Sequence, residues 1–286
     1  MWIVFAFGAA VFAGVTAILA KVGIADVDST LATAVRTVVV MVFAALMVLI
    51  VGSANTLGAV SGRTFLFLGL SGLATGASWL AYFRAIQLGN VNQVAPVDKL
   101  SVVLTILIAL LFLHESSTGY TIAGIVLIGA GTLLMSWVRG LGTAKSEDFR
   151  WLWYAVLAAV FAALTAILAK VGIEDIESNL GTAVRTLVVL VMAWGMVYVT
   201  GKGRGWRNIS RKSWTFLCLS GIATGASWLC FYRALQLGPA SVVVPVDKLS
   251  IAFTVAFSYF FLGEKLTPRT LSGLVLIIGG TMLLLA

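Results

Sequence analysis

Charge is scarce in this chain. Asp, Glu, Lys and Arg make up 10% of its 286 residues, where a soluble domain carries about a quarter. Acids are the scarcer sign, 11 against 19 Lys and Arg. Hydrophobic residues reach 60%, and the mean hydropathy is +1.06. So little charge excludes an ordinary soluble domain, which would expose large apolar patches to water; the solvent must be lipid. The net charge of +8 does not indicate nucleic acid. The basic residues fall mostly in loops between apolar runs of about 20 residues, and there is no recognition helix or basic stripe. Cysteine is nearly absent. Cys218 and Cys230 stand about 18 Å apart in one expected helix, beyond disulfide reach, and no CxxC pair exists for metal or redox work. His114 is the only histidine, aligned with Gly263 of a second copy described below. With no His-rich box, HExxH, nucleophile elbow or paired catalytic acids, the chain is not expected to be an enzyme, and no cofactor or metal is implied.

What is abundant is apolar and written twice. Residues 71–89, SGLATGASWLAYFRAIQLG, return as SGIATGASWLCFYRALQLG at 220–238, with 14 of 19 positions identical. The register holds without a gap from residues 1–137 to residues 150–286, at an offset of 149. Each copy offers five runs able to cross about 30 Å of hydrocarbon. They are 2–20, 30–51, 64–86, 91–113 and 119–137, then 151–169, 179–200, 213–235, 240–262 and 268–285. The first, opening MWIVFAFG, lacks a basic n-region and reads as a membrane helix rather than a signal peptide. Residues 138–149 form a polar linker. The expected fold is an all-α integral membrane protein of ten transmembrane helices.

Five crossings return the chain on the opposite side, so the second copy must insert upside down, as in many secondary transporters. Loop charges agree. Ser53, Asn55, Gly58, Gly62, Ser116 and Tyr120 of the first copy correspond to Lys202, Arg204, Arg207, Arg211, Lys265 and Arg269 of the second. Equivalent loops then lie on opposite sides, with the basic set inside. The linker and the 200–212 loop are expected in the cytoplasm of a plasma-membrane protein, and both termini outside.

Small residues recur at four-residue spacing in spans 1 and 6: Ala6, Ala10 and Gly14, then Ala155, Ala159 and Ala163. Such stripes let backbones approach closely in lipid. The informative residues are charges kept in both copies at membrane depth, where each costs about 2.5–3.5 kcal/mol on insertion scales. Arg36 and Arg185 sit in TAVRT, about 10 Å beyond expected caps at Ser29 and Ser178. Asp98–Lys99 and Asp247–Lys248 sit in PVDKLS, behind Pro96 and Pro245, which remove a helix hydrogen bond. Lys21, Arg36, Arg84, Asp98 and Lys99 approach one membrane face; Lys170, Arg185, Arg233, Asp247 and Lys248 approach the other. These clusters are either local helix-end pairs or the two gates of an alternating-access carrier. Ser78, Trp79 and Tyr82, with Ser227, Trp228 and Tyr232, form either an interfacial belt or a pocket wall, since residues three or four apart share a helix face. Glu115 and Glu264 end spans 4 and 9 and read most simply as exposed loop acids.

The motifs SWLAYFRAIQLG and SWLCFYRALQLG, the PVDKLS runs ending in LHE and LGE, and the closing GIVLIGAGT and GLVLIIGGT resemble the EamA-type repeat of the drug/metabolite transporter superfamily. The resemblance covers both copies. It implies a ten-helix bundle in which spans 1, 3, 4, 6, 8 and 9 surround a central cavity and spans 5 and 10 lie toward the periphery. The expected partners are a small-molecule substrate and the lipid bilayer, in a monomer or weak homodimer. The expected function is alternating-access transport of small metabolites, amino acids or related amphiphiles; the other reading is an anion-conducting pore or lipid-moving scaffold.

Overall fold

A computed structural model describes residues 1–24, 26–88, 97, 100–115, 118–136, 150–262 and 267–285. In lipid every backbone N–H and C=O must find its partner within the segment, and the apolar runs accordingly form helices. In chain order these are α1 (Trp2–Gly23), α2 (Ser29–Val51), α3 (Gly62–Leu88), α4 (Ser101–Phe112), α5 (Gly119–Ser136), α6 (Arg150–Gly172), α7 (Ser178–Val199), α8 (Arg211–Leu237), α9 (Ala240–Lys248), α10 (Ser250–Leu262) and α11 (Pro268–Leu285). Short 3-10 turns, Ser53–Ala59 and Lys202–Asn208, follow α2 and α7. Among the described residues, eight stretches are long and apolar enough to cross a membrane; one of them, Ala240–Phe261, joins α9 and α10 across a break at Leu249. The chain is an all-α, multi-pass membrane protein. Most of the first half of expected span 4 lies outside the described residues.

The caps of α2 and α7 fall one residue before the expected serines. Asp28 accepts from the Thr30 and Leu31 amides, and Glu177 accepts from those of Asn179 and Leu180. A carboxylate carries full charge to the positive end of the helix, where a serine brings only a dipole. Asp28 also pairs with Lys202 at 2.7 Å. Burial pushes the Asp28 carboxyl up, but Lys202 and the two amides together hold it below the usual carboxylate value. Its stabilisation is therefore present above the unfolded pKa and is lost as pH falls through the depressed folded one. Asp28→Ala is expected to cost about 1 kcal/mol near neutral pH. In thermal melts from pH 7 to 3, the gap from the parent should close; a gap that persists undiminished in acid would contradict the assignment.

The chain forms two compact units. The first comprises Met1–Leu73, Leu168–Gly238 and Ser250–Glu264; the second comprises Ala74–Ile167, Pro239–Leu249 and Lys265–Ala286. In the first unit, α1 and α8 pack along their lengths in opposite directions. Ser227 donates to the Ala9 carbonyl (2.9 Å) and Ser220 to the Thr16 carbonyl (3.0 Å). Gly23 meets Leu217 so closely that a methyl there would stand 3.1 Å from the Leu217 nitrogen. Helices α2 and α7 are also antiparallel neighbours: Asp28 at the start of α2 reaches Lys202 just past the end of α7.

In the second unit, α3 and α6 repeat this arrangement. Ser78 donates to the Ala158 carbonyl (2.9 Å), and Thr75 meets Thr165 at 3.3 Å. Helices α5 and α11 press backbone to backbone. A methyl on Gly131 would stand 2.6 Å from the Gly273 oxygen, and one on Gly280 would stand 2.8 Å from the Gly124 oxygen. Apolar burial gives helices in lipid no drive to associate, so such close approach supplies the attraction.

Candidate functional site

Among the described residues of the first unit, Arg185 is the most deeply buried charge, 3% exposed. Its guanidinium lies over the rings of Trp228 (5.2 Å) and Tyr232 (5.1 Å), and its Nε donates to the Ser71 hydroxyl at 3.0 Å. The two rings are four residues apart on α8 and so share a face. Gly72 lets α3 come close to α7: a methyl there would stand 2.7 Å from the Val188 Cβ and 3.3 Å from the Arg185 oxygen. Arg36 is held differently. Its Nη2 donates to Thr224 at 2.8 Å, one helical turn beyond the residue equivalent to Ser71. Ser220, that equivalent, bonds to Thr16 instead. The Arg36 Nε is buried with no hydrogen-bond partner among the described residues. The two arginines thus occupy equivalent sequence positions in unlike environments.

The other expected site residues are distributed as follows. The Ser78 and Ser227 hydroxyls are engaged by the carbonyls of the helices they pack on. Trp79 is half-buried. Tyr82 packs on Ala85 and Ala155 with Val97 and Trp151. Asp247 and Lys248 close α9, with 3.6 Å between carboxylate and ammonium, and Pro245 lies inside that helix. Asp98 and Lys99 lie outside the described residues.

A cavity of about 510 Å³ opens in the first unit among α1, α2, α7 and α8. Its polar wall is Glu177, Ser178 and Asn179 at the start of α7; Arg233 stands on α8, with Phe5, Phe43, Met47 and Leu229 making the apolar surface. Arg233 is held by Gln236 (2.6 Å), whose amide donates in turn to the Ile173 and Ile176 carbonyls. The Glu177 oxygens accept from Asn179 and Leu180, and a carboxylate has lone pairs beyond these. Of the charges that sequence groups at the two membrane faces, Arg233 lines this cavity; the described candidates Arg36, Arg185, Asp247 and Lys248, with the Ser–Trp–Tyr sets, do not. Ala226, Leu229, Cys230 and Arg233 recur at helical spacing on α8, on the side away from Trp228 and Tyr232. That spacing was the available signal. A second cavity, about 490 Å³, is walled by Val15, Ile18, Leu19, Val22, Phe216, Phe257 and Phe261. Among the described residues, none of those lining it is charged or hydrogen-bonding. Among the described residues, no group of three or more His, Cys, Asp or Glu is arranged to hold a metal ion.

A multi-helix membrane protein with paired repeats, deep arginines and a small-molecule-sized cavity has the makings of a transporter, and comparison with known proteins agrees. The chain belongs to the EamA-like transporter family, whose model matches residues 1–137 and again residues 149–286. It is similar to the "uncharacterized transporter in cobO 3'region" of Sinorhizobium sp, 47% identical over 134 residues that cover 47% of this chain and 95% of that protein. An uncharacterized protein of Methanocaldococcus jannaschii is 32% identical over 135 residues, 45% of this chain and 91% of that one. Both relatives are thus about one repeat long. A solved crystal structure with 17% identity superposes with a TM-score of 0.80, covering 99% of this chain and 96% of its own, and shows the shared fold. The chain is a membrane transporter of small molecules, not an enzyme.

Proposed function

We propose that this transporter carries small amphiphilic metabolites, amino acids among them, by alternating access through ten spans. Two inverted repeats, residues 1–137 and 150–286, are joined by 138–149; the linker and the 200–212 loop face the cytoplasm, and the working unit is a monomer or weak homodimer. The mirrored serine contacts support the inversion. Ser227 to Ala9 and Ser78 to Ala158 are the same contact 149 residues apart, each made by antiparallel helices from different repeats. Arg36, Asp98 and Lys99 with Trp79 and Tyr82 serve one gate; Arg185, Asp247 and Lys248 with Trp228 and Tyr232 serve the other.

The observation that carries the substrate class is the 510 Å³ cavity, with Arg233 and Glu177 as charges of opposite sign and an apolar surface between. Ligand pockets for small molecules span roughly 300–1,000 Å³, mostly apolar with a few placed polar groups. A carboxylate suits Arg233, an ammonium or hydroxyl suits Glu177 and Asn179, and an aliphatic or aromatic body suits Phe5, Phe43 and Leu229. A thermal-shift screen of amino acids, phosphorylated sugars and cationic drugs tests this. Amino acids should stabilise the parent, and Arg233→Gln should raise the half-saturating concentration at least about tenfold, the loss of one charged hydrogen bond. Stabilisation by cationic drugs alone, unaffected by Arg233→Gln, would refute the substrate class.

A further inference from the structure

We propose that Glu115 is a positioning residue for transport: its carboxylate seats the half-helix α9 and with it Asp247 and Lys248. The inference rests on the gating role proposed above for those two residues. Helix α9 begins at Ala240 behind Pro239, which has no side-chain acceptor, and no side chain of its own caps it. The amides of its first turn need an outside acceptor, and Ala240 and Ser241 are buried from water. Glu115 supplies it. Ala240 N–H donates to Oε1 at 2.7 Å and Ser241 N–H to Oε2 at 2.8 Å. Both oxygens of one carboxylate thus meet the positive end of a helix 125 residues away, in the other repeat.

The connection after α4 is shaped to deliver this group. Leu113 closes α4 by donating to the Ala109 carbonyl, and His114 turns the chain with φ +51°, the left-handed region. The sequence-equivalent residue is Gly263, and glycine is the residue type that adopts that region without steric cost. Glu115 is therefore not the exposed loop acid expected from sequence. Helix α9 is nine residues long, too short to hold its own geometry without tertiary support. It packs against α4 and α11 and stops one residue before the break at Leu249. Anchoring its first turn therefore sets where its last residues, Asp247 and Lys248, stand.

The test uses the full chain in nanodiscs and proteoliposomes, comparing the parent with Glu115→Ala and Glu115→Gln. Two arms need no substrate: hydrogen exchange across 240–248, and acylation of Lys248 by a water-soluble reagent. Glu115→Ala should raise exchange in that segment at least about tenfold and change the rate of Lys248 modification. Glu115→Gln, which keeps one carbonyl acceptor, should fall between. The third arm is counterflow of a radiolabelled amino-acid mixture. Its maximal rate should drop about tenfold with the half-saturating concentration within about twofold, because Glu115 does not line the cavity. Unchanged exchange and acylation in both variants would overturn the proposal. So would altered exchange with unchanged counterflow, which makes the contact a staple only. A parent that moves no amino acid would instead refute the proposed substrate, and the first two arms would still decide whether Glu115 seats Lys248. Should Glu115→Ala fail to fold, the near-isosteric Glu115→Gln carries the same readouts.

Discussion

Arg185→Met should abolish transport while leaving the folded protein as stable as the parent or more so. The two effects have separate origins. A buried guanidinium gives up hydration worth several kcal/mol, and replacing such a charge by an apolar side chain of similar length is often neutral or stabilising. Stacking on Trp228 and Tyr232 (5.2 and 5.1 Å) and the 3.0 Å bond to Ser71 return part of that cost. Each ring contributes about 0.5–2 kcal/mol. A charge kept at depth on these terms earns its place by what it does. The expected loss in counterflow rate is at least about 100-fold, equivalent to about 2.7 kcal/mol in the barrier, with an unchanged or higher melting temperature. Arg185→Lys should not rescue, because an ammonium lacks the flat guanidinium plane that lies over the two rings. A Met variant that unfolds would show a packing role; one that still transports would remove Arg185 from the gate.

Two adjacent glycines on α11 should respond to the same substitution with opposite sign. Gly280 faces α5, where a methyl would meet the Gly124 oxygen at 2.8 Å and the Ile128 nitrogen at 3.0 Å. Backbone atoms cannot swing aside as a side chain can, so Gly280→Ala must push the helices apart. The expected cost is about 1–3 kcal/mol, as for other overpacked contacts. A methyl on Gly279 meets nothing within 4 Å, and Gly279→Ala should stabilise by about 0.5–1 kcal/mol through the lower backbone entropy of alanine. Unfolding in a detergent–denaturant titration gives both values. Equal effects at the two positions would mean that α5 and α11 do not meet at Gly124 and Gly280.

The repeat, its membrane class and the deep placement of Arg185 are legible in the sequence because each is a local conflict with its surroundings. A cation inside twenty apolar residues, or a stretch of nineteen written twice, is visible without neighbours. The role of Ser78 and Ser227 is less legible. Sequence shows a serine beside a tryptophan, but the acceptor is a backbone carbonyl on a helix that sequence does not place alongside. The same reason hid Glu115, whose partners are two amides in the other repeat. The cap positions were off by one residue because Asp28–Ser29 and Glu177–Ser178 each offer adjacent residues with a side-chain acceptor, and only the local backbone decides between them. The cavity was hidden for a different reason. Its wall combines the ends of helices far apart in the chain, and the side of α8 that faces it is less conspicuous than the Trp–Tyr side beside Arg185. Sequence left Arg233 as either a helix-end charge or a member of a gate cluster; its hydrogen bond to Gln236, itself tied to the 173–176 turn, holds it at the wall of a cavity.

A substrate carried through this chain by way of that cavity exchanges across the membrane, whereas one flowing through a pore does not. Counterflow tests this most directly. Proteoliposomes loaded with unlabelled amino acids should transiently accumulate external labelled amino acids through the parent. They should not do so through Leu229→Trp, in which a bulkier indole would project from the cavity wall into the substrate's space. Unitary currents in planar bilayers without counterflow, or counterflow that survives Leu229→Trp undiminished, would rule out carriage through the cavity.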